Sequence, residues 1–150
     1  MSHPALTPQQ IADAVRAGMF ADDRASRALG ITVEAMSPGR ATLRMTVRAD
    51  MLNSFHICHG GFVTTLADSA FAFACNSGNE LTVASGLTVE LVASAREGDV
   101  LTASAAEVNR TARLGVYDIV VTNQHGERIA LVRGRSYAIR GKTSVTLPAA

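Results

Sequence analysis

The fold of this chain is decided by residues 60–77, which read GGFVTTLADSAFAFACNS. Apolar residues stand there at positions 62, 63, 66, 67, 70, 71, 73 and 74. On a helix of 3.6 residues per turn they cover well over half of the circumference. A helix that apolar has to be buried inside other elements. The stretch therefore predicts a central helix that begins at Gly60 and is closed by Gly78.

The segments around this helix have the character of β-strands. They are dense in Val, Leu, Ile and Thr, and most are separated by short turns that contain glycine. Consecutive strands joined by short turns favour antiparallel pairing, so we expect an antiparallel sheet wrapped around the helix, in the α+β class. The six predicted strands are residues 31–36, 41–48, 81–94, 100–108, 115–123 and 128–139.

The length of 150 residues predicts a single domain, 1–150. Residues 8–29 have helical spacing and predict an N-terminal helix, which Gly18 could divide in two and which Gly30 ends. We expect the core to span residues 30–140. Residues 141–150 show no period and are expected to form a loose tail.

The composition excludes several classes of protein. The net charge is +1, with 14 Lys and Arg against 13 Asp and Glu and no basic stripe, so we expect no nucleic-acid partner. The longest apolar stretch, 62–75, is too short and too polar to cross a membrane, and no secretory signal is visible, so we expect a cytoplasmic protein. With 47% hydrophobic residues, part of the surface is expected to be buried between subunits.

Several familiar catalytic patterns are missing. No Gly-x-Ser-x-Gly elbow and no Gly-x-Gly-x-x-Gly loop is present. His56, Cys58 and His59 stand too close together to share one metal comfortably, and no second cluster completes a site. We therefore expect neither a metal nor a cofactor.

The start of the central helix is unusual because His59-Gly60-Gly61 stands where a Ser, Thr, Asp or Asn cap is normal. Glycines at a helix N-terminus expose N–H groups, and the helix dipole adds partial positive charge. Such amides suit a carbonyl oxygen that becomes an oxyanion. The alternative interpretation is a plain flexible turn.

Asp68 lies in the middle of this apolar helix, on a face of small or polar residues that includes Thr64 and Thr65. A carboxylate there costs free energy unless it is exposed or paired. Asp68 is therefore either a base or nucleophile in a narrow channel or a solvated residue on an outer face.

The spacing of these two features predicts an oligomer. Eight residues separate Gly60 from Asp68, which is about 12 Å of helix rise. One carbonyl group needs its oxygen and its carbon each about 3 Å from the catalytic groups. If both groups are catalytic, Gly60 of one subunit has to meet Asp68 of another, and the protein is an obligate homo-oligomer.

These motifs together resemble the PaaI group of hotdog-fold thioesterases, the phenylacetic acid degradation proteins. The resemblance covers residues 29–139. The motifs that carry it are Asn53 followed six residues later by His59-Gly60-Gly61, then residues 68–72 and 74–77, and the shorter matches at 51–53, 83–85, 98–99, 115–119 and 133–134.

The resemblance implies a hotdog fold that pairs into dimers and usually tetramers, as a dimer of dimers. It implies hydrolysis of acyl-CoA thioesters, with aryl- or hydroxyarylacetyl groups favoured and coenzyme A as part of the substrate. Asp68 would activate water or attack the carbonyl. Gly60 would donate its N–H to the oxyanion, and Asn53 and His59 would position the carbonyl or the water.

Further residues are expected to contact the acyl-CoA substrate. Arg96, Arg110 and Arg113 could hold the phosphates, although each could equally be a solvated turn residue. The chain departs from the family after Leu91, where Val92-Ala93 replaces a frequent Arg-Pro, and Phe55 and Ile57 are larger than expected and could reshape the acyl pocket. The expected substrate-binding residues are Gly61, Thr64, Thr65, Ser85, Arg96 and Arg113.

Two alternatives on the same fold stay open. His59 is compatible with an enoyl-CoA hydratase or dehydratase, which would use a histidine with an acidic residue. A non-catalytic acyl-CoA-binding module is the other alternative, although residues 1–30 are too short for an added DNA-binding domain.

Overall fold

Residues 5–149 are described by the computed structural model, and they form three α-helices and six β-strands. The helices are α1 (Pro8–Asp22), α2 (Arg24–Ala28) and α3 (Gly60–Asn76). The strands are β1 (Thr32–Ser37), β2 (Arg40–Thr46), β3 (Glu80–Leu91), β4 (Val100–Arg110), β5 (Leu114–Thr122) and β6 (Arg128–Thr143).

The helix α3 is the predicted central helix. Leu66, Ala70 and Phe71 are completely buried on the side that packs against the sheet. The ring of Phe71 lies 5.4 Å from that of Tyr117 on β5, measured between centroids. A Cβ atom on Gly134 would lie 3.0 Å from Phe71, so β6 can pass this close to the helix only because glycine stands there. The predicted buried helix is confirmed.

The six strands form one antiparallel sheet in the order β1-β2-β4-β5-β6-β3. Alternate residues of β5 and β6 point to the helix, as the period of two in their burial shows. The strand β3 lies at one edge, paired with β6 from Thr82 opposite Ala138 to Leu91 opposite Ala130. The expected α+β architecture, a helix wrapped by an antiparallel sheet, is confirmed.

The N-terminal helix divides, but Gly18 is not the cause. The division lies at Asp23, whose side chain accepts the Ser26 N–H at 2.9 Å and so caps α2. Gly18 stays inside α1, where a Cβ atom would lie 2.6 Å from Cγ1 of Val145. This glycine therefore permits a close helix contact and does not break the helix.

The expected loose tail from residue 141 is wrong in its first part. The strand β6 runs to Thr143, which pairs with Glu80, because β6 and the edge strand β3 continue their pairing past the end of α3. Val145 donates its N–H to Asn79 Oδ1 at 2.9 Å. Asn79, with φ of 62°, also supplies the left-handed residue after α3 that was expected at Gly78.

The chain leaves the sheet after Leu91, earlier than the predicted end at residue 94. The following segment turns towards the start of α3, where the Cys58 N–H donates to the Ala95 carbonyl at 2.8 Å. This contact brings the end of β3 beside Gly60. No helix within residues 5–149 is both long and apolar enough to cross a membrane.

Candidate active site

The start of α3 presents one open amide. His59 is the cap residue, and its Nδ1 accepts the Gly61 N–H at 2.9 Å. Within residues 5–149 the Gly60 N–H has no hydrogen-bond partner. The expectation of two bare glycine amides is therefore wrong for Gly61, because a histidine ring can cap a helix as an Asp or Asn side chain does. Of the two glycines, Gly60 offers the free donor at this end of the helix.

The cap also selects the tautomer of the neutral His59 ring. A neutral imidazole that accepts at Nδ1 carries its proton on Nε2, so this nitrogen is a donor. The side chain is exposed, and its ring lies edge-on to that of Phe62 at 6.2 Å between centroids. The Nε2–H is the group through which His59 can contact a substrate.

Asn53 organises the loop before α3. Its Oδ1 accepts the N–H of Phe55 at 2.9 Å and that of Ile57 at 3.4 Å. Its Nδ2 has no acceptor in the described part of the chain. Asn53 and Gly60 line one cavity of about 300 Å³, so the structure brings these two predicted residues together.

Asp68 lies two turns further along α3 and is half-buried. Nothing in residues 5–149 forms an ion pair with its carboxylate, and burial raises the pKa of this carboxyl above its ordinary value. The rise of about 12 Å from Gly60 keeps the two groups of one chain apart. Asp68 is thus a partly desolvated acid without an ion-pair partner among the described residues of its own chain.

The two cysteines do not offer an alternative nucleophile. Cys58 and Cys75 are both buried free thiols. Burial raises the pKa of Cys58 above its ordinary value and that of Cys75 to about 12. The reactive form of cysteine is the thiolate, which both environments disfavour. Within residues 5–149, no three His, Cys, Asp or Glu side chains are grouped to hold one metal ion.

Comparison with known proteins identifies the family. The profile of the thioesterase superfamily matches residues 55–130. The acyl-coenzyme A thioesterase PaaI of Escherichia coli is 44% identical over 123 residues, which cover 82% of this chain and 88% of that protein. The chain belongs to the thioesterase superfamily. The family membership that the motifs around Gly60 and Asp68 predict is confirmed.

Two solved structures share the fold of this thioesterase chain, and a further relative matches it in sequence. The structure of the E. coli PaaI protein matches with a TM-score of 0.85 and 42% identity, covering 89% of this chain and 96% of that one. A mutant of the phenylacetic acid degradation protein PaaI of Thermus thermophilus matches with a TM-score of 0.75 and 35% identity, covering 78% and 100%. A putative esterase of Archaeoglobus fulgidus is 34% identical over 87% of this chain and 84% of that protein. The expected hotdog fold is confirmed.

Thr64 and Thr65 of this thioesterase helix donate their hydroxyl protons to carbonyl groups of the same helix. Thr64 Oγ1 donates to the Gly60 carbonyl and Thr65 Oγ1 to the Gly61 carbonyl, each at 2.8 Å. Each hydroxyl keeps its capacity to accept a hydrogen bond. His59, Gly61 and Thr65 line a second, open hollow with Phe62.

The remaining predicted contacts lie outside these two cavities. Ser85 Oγ on the edge strand donates to the Arg135 carbonyl at 3.1 Å. Arg96 stands in the exposed turn before β4. Arg113 is in the β4–β5 turn, where it donates to the Tyr137 hydroxyl at 2.8 Å, at the end of the sheet opposite Gly60. Within one chain these three residues do not join the Gly60 cavity.

The structure also shows a cavity residue that the sequence does not reveal. Ile57, expected to reshape the pocket, lines the Gly60 cavity, whereas Phe55 is 79% exposed and does not. Leu91 lines it as well. The only signal for Leu91 in the sequence is its place at the apolar end of a strand, because its proximity to Gly60 depends on the tertiary fold.

Proposed function

We propose that this chain hydrolyses acyl-CoA thioesters to a free acid and coenzyme A, and that aryl- or hydroxyarylacetyl-CoA is the favoured substrate. The observation that carries the proposal is the pair on α3: an amide at Gly60 and a half-buried carboxyl at Asp68, both without a partner within residues 5–149. The name of the E. coli relative, acyl-coenzyme A thioesterase, supports the same reaction class.

We further propose that each site is shared between two chains. A thioester carbonyl placed on the Gly60 N–H is out of reach of the Asp68 of the same helix, which is about 12 Å away. A second copy with its α3 antiparallel would bring its own Asp68 to that carbonyl. A two-fold axis then creates two equal sites, and a dimer of dimers repeats the arrangement.

In the proposed reaction, the carbonyl oxygen accepts the Gly60 N–H, where the helix dipole also favours negative charge. The Nδ2 of Asn53 and the Nε2–H of His59 are the further donors near that end of α3. The ionised Asp68 of the other chain either removes a proton from water, whose oxygen then attacks the carbonyl carbon, or attacks that carbon itself. The second route forms an acyl–Asp68 anhydride, which water then hydrolyses to the free acid and the regenerated carboxylate. The C–S bond breaks, and the electron pair leaves on the coenzyme A sulfur as a thiolate.

Contacts to the nucleotide end of the substrate are proposed for the two arginines. Arg96 is the residue after Ala95, which lines the Gly60 cavity. The Arg113 carbonyl accepts the Ala138 N–H, and Ala138 pairs with Thr82. Thr82 is hydrogen-bonded to Asn76, the last residue of α3, so Arg113 would reach the nucleotide from the chain that supplies Asp68. A contribution of Ser85 and the cytoplasmic location stay predictions.

Thiol release tests the proposal directly. The purified protein is incubated with a panel of aliphatic and aromatic acyl-CoAs, and free coenzyme A is measured with a thiol reagent. We expect turnover that is highest for arylacetyl-CoA, by a species that light scattering shows to be an oligomer. Loss of enoyl absorbance without thiol release would identify a hydratase, and binding without turnover would identify a binding module. A fully active single-chain species would contradict the shared site.

A further inference from the structure

The cavity beside Gly60 is small and has no cationic side chain of the described residues in its lining. Cys58, Val63 and Ala95 are buried and form its floor. No lysine or arginine of the described residues lines it. Its volume of about 300 Å³ is at the small end of the range for ligand pockets. The lining residues are Asn53, Ile57, Cys58, Gly60, Val63, Leu91, Val92, Ala93, Ser94 and Ala95.

Leu91 forms the wall of this cavity that lies against the candidate oxyanion amide. A Cβ atom on Gly60 would lie 2.5 Å from Cδ1 of Leu91, so the leucine side chain lies directly over the Gly60 Cα. Leu91 is nevertheless 54% exposed, at the free end of the edge strand β3. A large apolar side chain beside a free amide offers surface that a bound apolar group would bury.

We propose that this cavity receives the acyl group of the thioester and that Leu91 determines the size of acyl group that is accepted. The inference rests on the proposed thioesterase function. A carbonyl held at the Gly60 amide has its acyl chain on one side and its sulfur on the other. The cavity fits the acyl chain because no lysine or arginine of the described residues lines it, whereas the phosphates of coenzyme A require cations.

Two substitutions of Leu91 in opposite directions test the inference. Leu91→Ala removes the wall, and Leu91→Phe extends it. The probes are butyryl-, hexanoyl-, octanoyl- and phenylacetyl-CoA, with thiol release as the readout. We expect Leu91→Ala to raise the kcat/KM ratio of octanoyl- over butyryl-CoA at least about tenfold, since even one methylene in an apolar pocket changes such ratios by roughly 10- to 200-fold. Leu91→Phe is expected to lower the same ratio.

The matched control is Leu114→Ala. Leu114 is 56% exposed, close to the value for Leu91, but it begins β5 at the opposite end of the sheet. Its substitution is expected to leave the acyl-size ratio unchanged. Thermal melting and light scattering of each variant show whether fold and assembly are retained.

A second pair of substrates distinguishes an effect on binding of the acyl chain from an effect on binding of the coenzyme A arm. Octanoyl-CoA is compared with octanoyl-N-acetylcysteamine, which keeps the acyl chain but lacks most of the carrier. If Leu91→Ala and Leu91→Phe change this carrier ratio and leave the acyl-size ratio alone, the cavity holds the carrier arm and the inference is wrong. Unchanged ratios of both kinds would also overturn it. If the unmodified protein releases no thiol from any substrate, the proposed function itself fails.

Discussion

The substitution Gly60→Pro would remove the candidate oxyanion donor with little disturbance of the backbone. Gly60 is the first residue of α3, a position where proline is well tolerated because its missing N–H is not needed by the helix. His59 has ψ of 130°, in the extended region that a residue before proline requires. The change therefore replaces an N–H that has no partner within residues 5–149 by the carbon atoms of the proline ring.

The expected loss follows from the worth of one oxyanion donor. Removal of such a donor costs about 10²–10³ in kcat, or roughly 3–4 kcal/mol. Gly60→Ala is the matched control, because it keeps the N–H but places a Cβ atom 2.5 Å from Cδ1 of Leu91, as proline also does. Leu91 is half-exposed and can move aside. Both variants are assayed by thiol release, and melting temperatures confirm that they fold.

The comparison between the two variants decides the role of the amide. The proline variant should be at least about tenfold slower in kcat than the alanine variant, since only proline removes the donor. Equal activities in the two variants would show that the Gly60 N–H does not stabilise the transition state. The loss would then come from crowding of Leu91.

Three further predictions concern Asp68 and Asn53. Asp68→Asn should lower kcat at least about a thousandfold, as expected for an attacking or activating group, with the oligomer intact by light scattering; near-normal kcat would remove Asp68 from the mechanism. Burial raises the pKa of Asp68, so the folded state binds this proton more tightly than the unfolded state, and ionisation costs stability as pH rises from the ordinary to the raised pKa. Asp68→Asn should therefore raise the Tm at neutral pH. As the pH is lowered, kcat/KM of the unmodified protein should begin to fall at a higher pH than the ordinary aspartate pKa of about 3.9 predicts. A lower Tm, or an acid limb at the ordinary value, would contradict this account. Asn53→Ala should reduce kcat less than Asp68→Asn does. It should also lower the Tm, because Asn53 Oδ1 accepts two loop N–H groups. An unchanged Tm would show that this loop does not depend on Asn53.

The elements that are predictable from the sequence are those with strong local signals. The apolar circumference of α3 predicts the helix. Three strand connections are predicted by the turns at Gly39, Gly98 and Gly126. All three glycines have positive φ, between 72° and 84°, which explains why glycine marks the turns. Local residue chemistry alone therefore indicates most of the sheet and the central helix.

The boundaries and contacts that escape prediction depend on tertiary structure. Residues 141–143 show no period in the sequence, yet β6 continues past Gly141 because β3 supplies a partner for Thr143. Gly18 suggests a helix break, yet it lies within α1 and allows the close contact with Val145. Neither partner can be read from the residues next to the glycine in the sequence.

The candidate site is predictable to a similar extent. The family resemblance predicts Gly60 and Asp68 as the reacting pair, and their spacing separates them along one helix. It does not show that the ring of His59 caps Gly61. It does not bring Leu91 to Gly60 either, because residues so far apart in sequence meet only in the folded chain.

Mixing two inactive variants tests the shared site most directly. Chains with Asp68→Asn and chains with Gly60→Pro are combined in equal amounts and allowed to exchange subunits. In a hybrid dimer, the intact Gly60 of the first chain meets the intact Asp68 of the second. Random pairing should therefore restore about one quarter of the unmodified activity, since half of the dimers are hybrids and each has one working site of two. If the mixture stays as inactive as each variant alone, although the subunits have exchanged, the two groups do not act across the interface.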